Sequence, residues 1–365
     1  MSRISFGTTS IGDAEYTAVK ECLKTGFLSP GQYTKKFEPL VLAAYEDDKM
    51  CGVLLGVFIH EREGIGKHLS SRFVVYGGPL LTGNSDQQNK CLKSLLKALI
   101  IQTKNKALFT QFRNFFSWND YLDIFEKHGF MLLERMNYII QIQGAGNQGP
   151  GKMKSEIRNP KSEANTRKSV LKNMSEGRSR QITKSLANGA EIIEPENMEQ
   201  LREFYNILFK LYRYKVRKPL ADWSFFEHFY QQTLKSLNAD TTECSPGIIR
   251  LVKYEGRIIG GILAPTFENK CIYEWYVCGL DKEYKEQYPS VLATWAAIEY
   301  AINNNFSCFD FMGVGVPDTP YGVRDFKARF GGELVNYGRL TRINNPFLYN
   351  IAELGYNILA LLRRI

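Results

Sequence analysis

The residues best suited to chemistry lie toward the carboxyl end, in Phe309-Asp310-Phe311-Met312-Gly313-Val314-Gly315-Val316-Pro317-Asp318 and in Tyr321-Gly322-Val323-Arg324-Asp325-Phe326-Lys327-Ala328-Arg329-Phe330-Gly331-Gly332-Glu333. A buried strand that carries Asp310 into a glycine-rich bend at Gly313 and Gly315 lets backbone N–H groups approach a ligand closely. The short helix after it sets Arg324 and Lys327 three residues apart on one face. Two cations can then meet one developing oxyanion or phosphate. Gly315 leads to Pro317 rather than into a helix, so the spacing is neither a P-loop nor a dinucleotide fingerprint. On residue types alone, a structural loop followed by a solvated charged helix fits equally well.

A second candidate is Tyr273-Glu274-Trp275-Tyr276, where strand alternation puts Glu274 and Tyr276 on one face and Tyr273 and Trp275 on the other. A carboxylate in an aromatic strand has a partner or a raised pKa, and both fit a substrate amine or a general base; a salt-bridged structural glutamate fits equally well. Ser290, opening a helix after Tyr288-Pro289, either caps that helix or offers its hydroxyl and free N–H groups to an anion. Arg178, Arg180 and Lys184 lie on a basic helix, and their charged ends either face solvent or engage phosphates, for which the guanidiniums are suited. The four histidines show no Ser/His/Asp or Cys/His pattern and take no catalytic role.

These residues need a scaffold, and the chain of 365 residues suffices for about two domains. Hydrophobic residues make up 44% and charged residues 23%, which excludes a disordered or fibrous chain. The formal net charge is +9, of which residues 151–190, with ten Lys/Arg against three acids, carry +7. So local an excess argues for one anionic contact and against a chain that coats nucleic acid. The seven cysteines show no zinc-like spacing and read as reduced core thiols of a cytoplasmic protein. No apolar leader region and no run of about 18 apolar residues is present, so neither export nor membrane insertion is expected.

Periodicity predicts a helical segment in residues 1–40, an α/β domain in 41–143, a Gly/Asn/Ser/Lys/Pro-rich linker or insertion in 144–165, and a second α/β domain in 166–345. An amphipathic helix follows in 346–365; it either packs on the core or lies along a surface. Within the second domain, strands are expected at Ile248–Tyr254, Arg257–Thr266, Lys270–Cys278 and Cys308–Met312, with helices at Arg167–Leu186, Met198–Tyr214, Trp223–Leu237 and Pro289–Asn303. The halves look like weak copies. Asp48-Lys49-Met50-Cys51-Gly52-Val53 parallels Gly256-Arg257-Ile258-Ile259-Gly260-Gly261, and His128-Gly129-Phe130 parallels Phe330-Gly331-Gly332. Duplication would place a cleft between the copies.

Residues 38–345 resemble the FemAB/FemX family of cell-wall aminoacyl transferases, built from two tandem GNAT-type acyltransferase domains. The likeness is carried by Arg178–Glu191, Tyr273–Leu280, Pro289–Glu299 and above all Phe309–Asn336. It implies an α/β (α+β) fold of two mixed sheets flanked by helices, with the transfer site in the second domain and a degenerate first. In that family a lysine after a phenylalanine sits at the transfer site, and Phe326-Lys327 match it. Lys327 would then stabilise the oxyanion while Asp310 or Glu274 takes the amine's proton. Phe326, Arg324, Tyr321, Gly313, Gly315, Trp275, Tyr276, Ser290, Arg178 and Arg180 would line the substrate. The chain departs from the family in showing no coiled-coil pattern of about 50 residues, and from ordinary GNAT enzymes in having Glu286-Gln287-Tyr288-Pro289-Ser290 where their glycine-rich pyrophosphate loop would be.

The resemblance therefore implies transfer of an aminoacyl or acyl group to an amine of a cell-envelope precursor, lipid-linked or nucleotide-linked. The donor is aminoacyl-tRNA, held by its acceptor end, or acyl-CoA. No tightly bound cofactor, no metal and no DNA are expected, and membrane contact is at most peripheral, at the inner face. A non-catalytic GNAT-fold protein binding an anionic glycan or nucleotide-linked ligand is the alternative. Separately, residues 4–38 resemble the amino-terminal arm of DegT-type sugar aminotransferases.

Overall fold

In a computed structural model of the chain, the described residues are 3–5, 37–46, 48–60, 64–67, 69–142, 160–216, 220–238, 245–267 and 270–362. They fall into two compact units, Met1–Arg135 with Asn336–Ile365, and Met136–Val335.

The first unit carries an eight-stranded sheet of β1 (Arg3–Ser5), β2 (Phe37–Glu46), β3 (Lys49–Ile59), β4 (Arg72–Tyr76), β5 (Leu80–Leu81), β6 (Phe109–Arg113), β7 (Met131–Leu133) and, from late in the chain, β16 (Arg339–Ile343). The order is β1-β2-β3-β4-β6-β16-β7, with β5 also on β3. Helix α1 (Ser85–Thr103) starts at a reciprocal cap between Asn84 and Gln87, which satisfies two otherwise orphaned N–H groups. Its stripe Cys91, Leu92, Leu95, Leu96 and Leu99 packs with Phe73, Phe112 and the short α2 (Leu122–Lys127) in one core.

The second unit contains β8 (Met136–Gln141), α3 (Pro160–Asn173), α4 (Glu176–Ala187), β9 (Glu191–Ile193), α5 (Met198–Leu211), α6 (Trp223–Asn238), β10 (Gly247–Tyr254), β11 (Arg257–Phe267), β12 (Cys271–Tyr273), β13 (Tyr276–Gly279), α7 (Pro289–Asn303), β14 (Cys308–Gly313), α8 (Gly322–Ala328) and β15 (Glu333–Asn336); α9 (Pro346–Leu362) follows β16. The sheet order is β15-β8-β14-β12-β11-β10-β9, with β13 also on β11. Helix α7 is apolar nearly all round and buried along most of its length. Its Leu292, Trp295 and Ile298 share a core with Ile259 and Ile262 of β11 and Phe309 and Phe311 of β14. A second core joins α5 and α6, through Phe204 and Phe226, to Ile258 and Leu263 of β11.

Both sheets follow one plan. β2-β3-β4-β6 corresponds to β10-β11-β12-β14, each with two antiparallel pairings and then a parallel one. The paired motifs of the sequence coincide: Lys49 and Arg257 each open the second strand, and Gly52 and Gly260 each stand beside the bulge in the hairpin. A Cβ on Gly52 would meet Cys91 Sγ of α1 at 2.4 Å, and one on Gly260 would meet Pro289 Cβ of α7 at 3.1 Å. In each unit the glycine lets the following helix lie close on the sheet. The sequence α1-β6-α2-β7 likewise matches α7-β14-α8-β15.

Several boundaries differ from expectation. Residues 131–142 are two strands: β7 joins the first sheet through β16, and β8 joins the second through β14. Residues 339–343, placed with the second domain by periodicity, complete the first sheet through β6. The divisions therefore fall after Arg135 and Val335 rather than near 143 and 345. Strand pairing decides this, and a hydrophobic run does not reveal its partner. The expected helix 167–186 is two helices, because Ser175 caps α4 by accepting from the Arg178 N–H. Of residues 1–40, predicted to be a helical segment, the described ones lie in strands β1 and β2; the rest of that segment and nearly all of the aminotransferase-like stretch lie outside the described residues, as do positions 144–159 of the linker. Residues 160–165 begin α3. The longest described helix has 19 residues, too short for a coiled-coil arm. No helix among the described residues is long and apolar enough to cross a membrane.

One close approach supports a direct test. A Cβ on Gly279, at the end of β13, would lie 2.3 Å from Ser290 N and 2.8 Å from Pro289 C. These are backbone atoms that cannot swing away, so Gly279→Ala should destabilise the protein by about 2 kcal/mol or more, read from a denaturant or thermal melt.

Candidate active site

The second sheet opens where the candidate residues lie. β12 and β14 pair in parallel from Cys271 with Cys308 to Tyr273 with Asp310. A last bond, from Glu274 N–H to the Asp310 carbonyl at 2.9 Å, ends the contact. Beyond it β13 stays with β11, while β14 stays with β8 in a pairing that slips between Asp310 and Gly313. The two strands thus part at Glu274 and Asp310.

Strand alternation sends Phe309 and Phe311 into the core, their ring centroids 4.9 Å apart, and Asp310 to the other face. Asp310 is 1% exposed. Its Oδ1 accepts from Met312 N–H at 2.6 Å, and Oδ1 and Oδ2 receive longer bonds from Asn137 Nδ2 at 3.4 and 3.3 Å. The first of these fixes Met312 at φ 60°, outside the usual range of a non-glycine residue. Burial raises the Asp310 pKa to about 6; the bonds from Met312 and Asn137 and the charge of Lys327 oppose the rise, and Glu274 adds to it.

Glu274 does not continue a strand. The chain breaks step at Glu274-Trp275, so Glu274 turns toward α7, where Thr294 Oγ1 donates to its Oε2 at 3.3 Å, while Tyr276 packs with Phe226 of α6. The expectation that Glu274 and Tyr276 share a face fails for that reason. Lys327, on α8, reaches Glu274 Oε1 at 2.9 Å and donates to the Phe311 carbonyl. Both side chains are buried, Lys327 to 10% exposure and Glu274 to 2%. An ammonium has three N–H groups, so one donor of Lys327 remains for a ligand.

The helix bearing Lys327 is held from two sides. Arg324 Nε donates to the Val314 carbonyl at 3.1 Å and its Nη2 to the Val316 carbonyl, tying α8 to the glycine bend. Arg178, expected to meet phosphate, is instead buried between Phe326 and Phe330, 4.4 Å from each ring centroid, and donates to the Phe326 carbonyl at 2.9 Å. Burial lowers its pKa to about 10, with Arg329 adding to the effect and Asp281 opposing it. Hence Lys327 alone of the expected cations enters the site, and Arg324 and Arg178 position it. Arg178→Ala should cost about 3 kcal/mol of stability, from two stacked rings and a buried hydrogen bond, measured by chemical denaturation.

Other expected residues are dispersed. Gly313 is exposed; Gly315, at φ 91°, packs against the exposed Tyr321 ring. The Val314 N–H between them is taken by the Met136 carbonyl at 2.7 Å, which removes it as an oxyanion donor. Trp275 is exposed beside Phe225. Ser290 does not cap α7, since Tyr288 holds that place at φ 41°; its N–H is taken by Asp281 Oδ1 at 3.0 Å. Arg180 is exposed, and Lys184 pairs with Glu286. Asn137 and Thr294 went unrecognised in the sequence. Thr294, a lone polar residue deep in an apolar helix, offered a signal; Asn137, distant in sequence, offered none.

The first unit lacks this chemistry at matching places. Ladder positions equate Glu274 with Val75 and Asp310 with Gln111. At the end of the short helix, His128 N–H bonds to the Phe125 carbonyl and Gly129 N–H to that of Glu126, as Phe330 N–H bonds to Lys327 and Gly331 N–H to Ala328. The fully buried Phe125 therefore stands where the second unit has Lys327.

Residues 175–328, spanning these functional groups, match the acetyltransferase (GNAT) domain family. Over those residues the chain carries an acetyltransferase domain of GNAT type. The fold is similar to that of FemX, whose crystal structure superposes with a TM-score of 0.65 at 16% identity, over 94% of this chain and 98% of that one. A tandem GNAT protein from the clavulanic acid biosynthesis pathway is also similar, with a TM-score of 0.47 at 8% identity over 86% of this chain and 85% of that one. No curated protein matches the sequence.

Proposed function

We propose that the protein transfers an acyl or aminoacyl group to the amine of a cell-envelope precursor, a peptidoglycan peptide or an amino sugar. The buried Lys327–Glu274 pair at the parting of β13 and β14 carries this reading. The acyl carbonyl oxygen takes the third N–H of Lys327, which faces charge that grows only as the amine attacks. The C–N bond forms, the amine's proton passes to Asp310, and the bond to the donor's oxygen or sulfur breaks as that atom takes up a proton. With a pKa of about 6, Asp310 is ionised at neutral pH and close enough to it to be an efficient base. Glu274, held by Lys327 and Thr294, orients the ammonium.

Asp281 bears on the donor. A helix N-terminus is a ready anion site, and at α7 a carboxylate already occupies the Ser290 N–H. A coenzyme A diphosphate would meet a like charge there, which favours an aminoacyl ester such as aminoacyl-tRNA. Work at the inner face of the membrane follows from such an acceptor. Mass spectrometry of products decides both partners: the protein is offered aminoacyl-tRNA or acyl-CoA with lipid-linked and nucleotide-linked amines. An acylated amine supports the reading, whereas ligand binding without turnover across all pairs rejects it.

A further inference from the structure

Among the described residues, the first unit holds a group of cations without a carboxylate partner, near the place where the second holds Asp310. On β6, Phe112 enters the core, so Gln111 and Arg113 project from the opposite face. Arg339 of β16 stands directly opposite Arg113 in the antiparallel ladder, and Tyr76 of β4 pairs with Arg113 on its other side. Like charges directly opposite on neighbouring strands repel. Their hydrogen bonds do little to relieve this. Arg113 Nη1 donates to Tyr76 Oη at 3.0 Å, and its Nε shares the Gln111 Oε1 atom with Arg339 Nη1, at 3.4 and 3.5 Å. No carboxylate pairs with either guanidinium among the described residues. Arg339 is only half-exposed; burial, then Arg113 and Arg135, lower its pKa to about 10, with Tyr76 opposing.

A half-buried charge without a carboxylate partner loses part of its hydration, and two such charges side by side on neighbouring strands repel, which an anion would offset. We propose that Arg113 and Arg339 bind a phosphate or diphosphate group, with Tyr76 and Gln111 completing the site. A carboxylate, with two oxygens, is filled by one guanidinium fork; two forks from adjacent strands suit a tetrahedral group with three terminal oxygens. Val74 and Thr341, beside Gln111 in the ladder, are neutral. The site is independent of the transfer reading, since none of its residues belongs to the Lys327–Glu274 group.

Calorimetric titration of the full chain with inorganic phosphate and pyrophosphate tests it, and uridine diphosphate and vesicles containing phosphatidic acid separate a nucleotide source from a lipid one. Saturable pyrophosphate binding is expected, weakened about tenfold or more by Arg113→Gln or Arg339→Gln and lost in the double variant. Relief of the repulsion should leave the ligand-free double variant as stable as the native protein, or more so. Arg113→Lys should bind weakly, keeping charge without the fork. Absence of saturable binding to the native protein, or equal binding by the double variant, would overturn the proposal. So would a double variant that loses stability while pyrophosphate still binds; if that variant fails to fold, the single variants decide.

Discussion

Lys327→Met is expected to slow acyl transfer by about 10²–10³-fold, the effect of removing one donor aimed at a developing oxyanion. Two consequences of the substitution must be separated. Loss of the ammonium deprives the carbonyl oxygen of its partner. It also leaves Glu274, 2.9 Å away and 2% exposed, as an uncompensated buried carboxylate, which costs about 3–5 kcal/mol. The pair Lys327→Met with Glu274→Gln restores neutrality, so it should recover most of the melting temperature and none of the rate. Turnover by mass spectrometry alongside a thermal melt distinguishes these outcomes. Full transfer activity in the stable double variant would remove Lys327 from the reaction.

Asp310→Asn is expected to cost about 10²–10⁴-fold in rate, the usual worth of a positioned base. In the native protein the rate should fall as pH drops through about 6, where Asp310 takes up a proton. The variant should lack that limb. Stability moves the other way. The folded pKa of about 6 lies above the ordinary carboxylate value, so the folded state binds this proton more readily than the unfolded one. The group stabilises most below the unfolded value, and that contribution is lost as pH rises from roughly 4 to 6. At neutral pH the ionised side chain then costs up to about 3 kcal/mol. Asp310→Asn should therefore melt higher than the native protein at pH 7.5, with a flatter dependence between pH 4 and 7. Lower stability at neutral pH would show that its hydrogen bonds outweigh its burial.

Elements with a strong local period were legible from sequence. Helix α7 begins and ends where Pro289 and the apolar run place it, and β10 and β11 deviate by a residue at most. The resemblance singled out Phe326-Lys327, and the lysine does reach a buried carboxylate. The environment of each charge was not legible. Arg178 and Arg324 have the residue type and spacing of anion ligands, yet one is stacked between rings and the other tied to carbonyls. Only tertiary packing distinguishes a cation that binds from one that braces. The same limit hid the break at Glu274-Trp275, where alternation implied an unbroken strand. It also hid Asn137, whose link to Asp310 spans 173 residues.

The reciprocal placement of β8 and β16 bears on synthesis. The first sheet lacks the strand between β6 and β7 until residues 339–343 are made, although all its other strands lie within the first 133 residues. On the ribosome, the first unit therefore waits, with two strand edges open, while the whole second unit is translated, and its sheet is completed last. Vectorial folding, domain after domain, is not available to this chain, and exposed edges during that interval are places where a chaperone would bind or aggregation would begin.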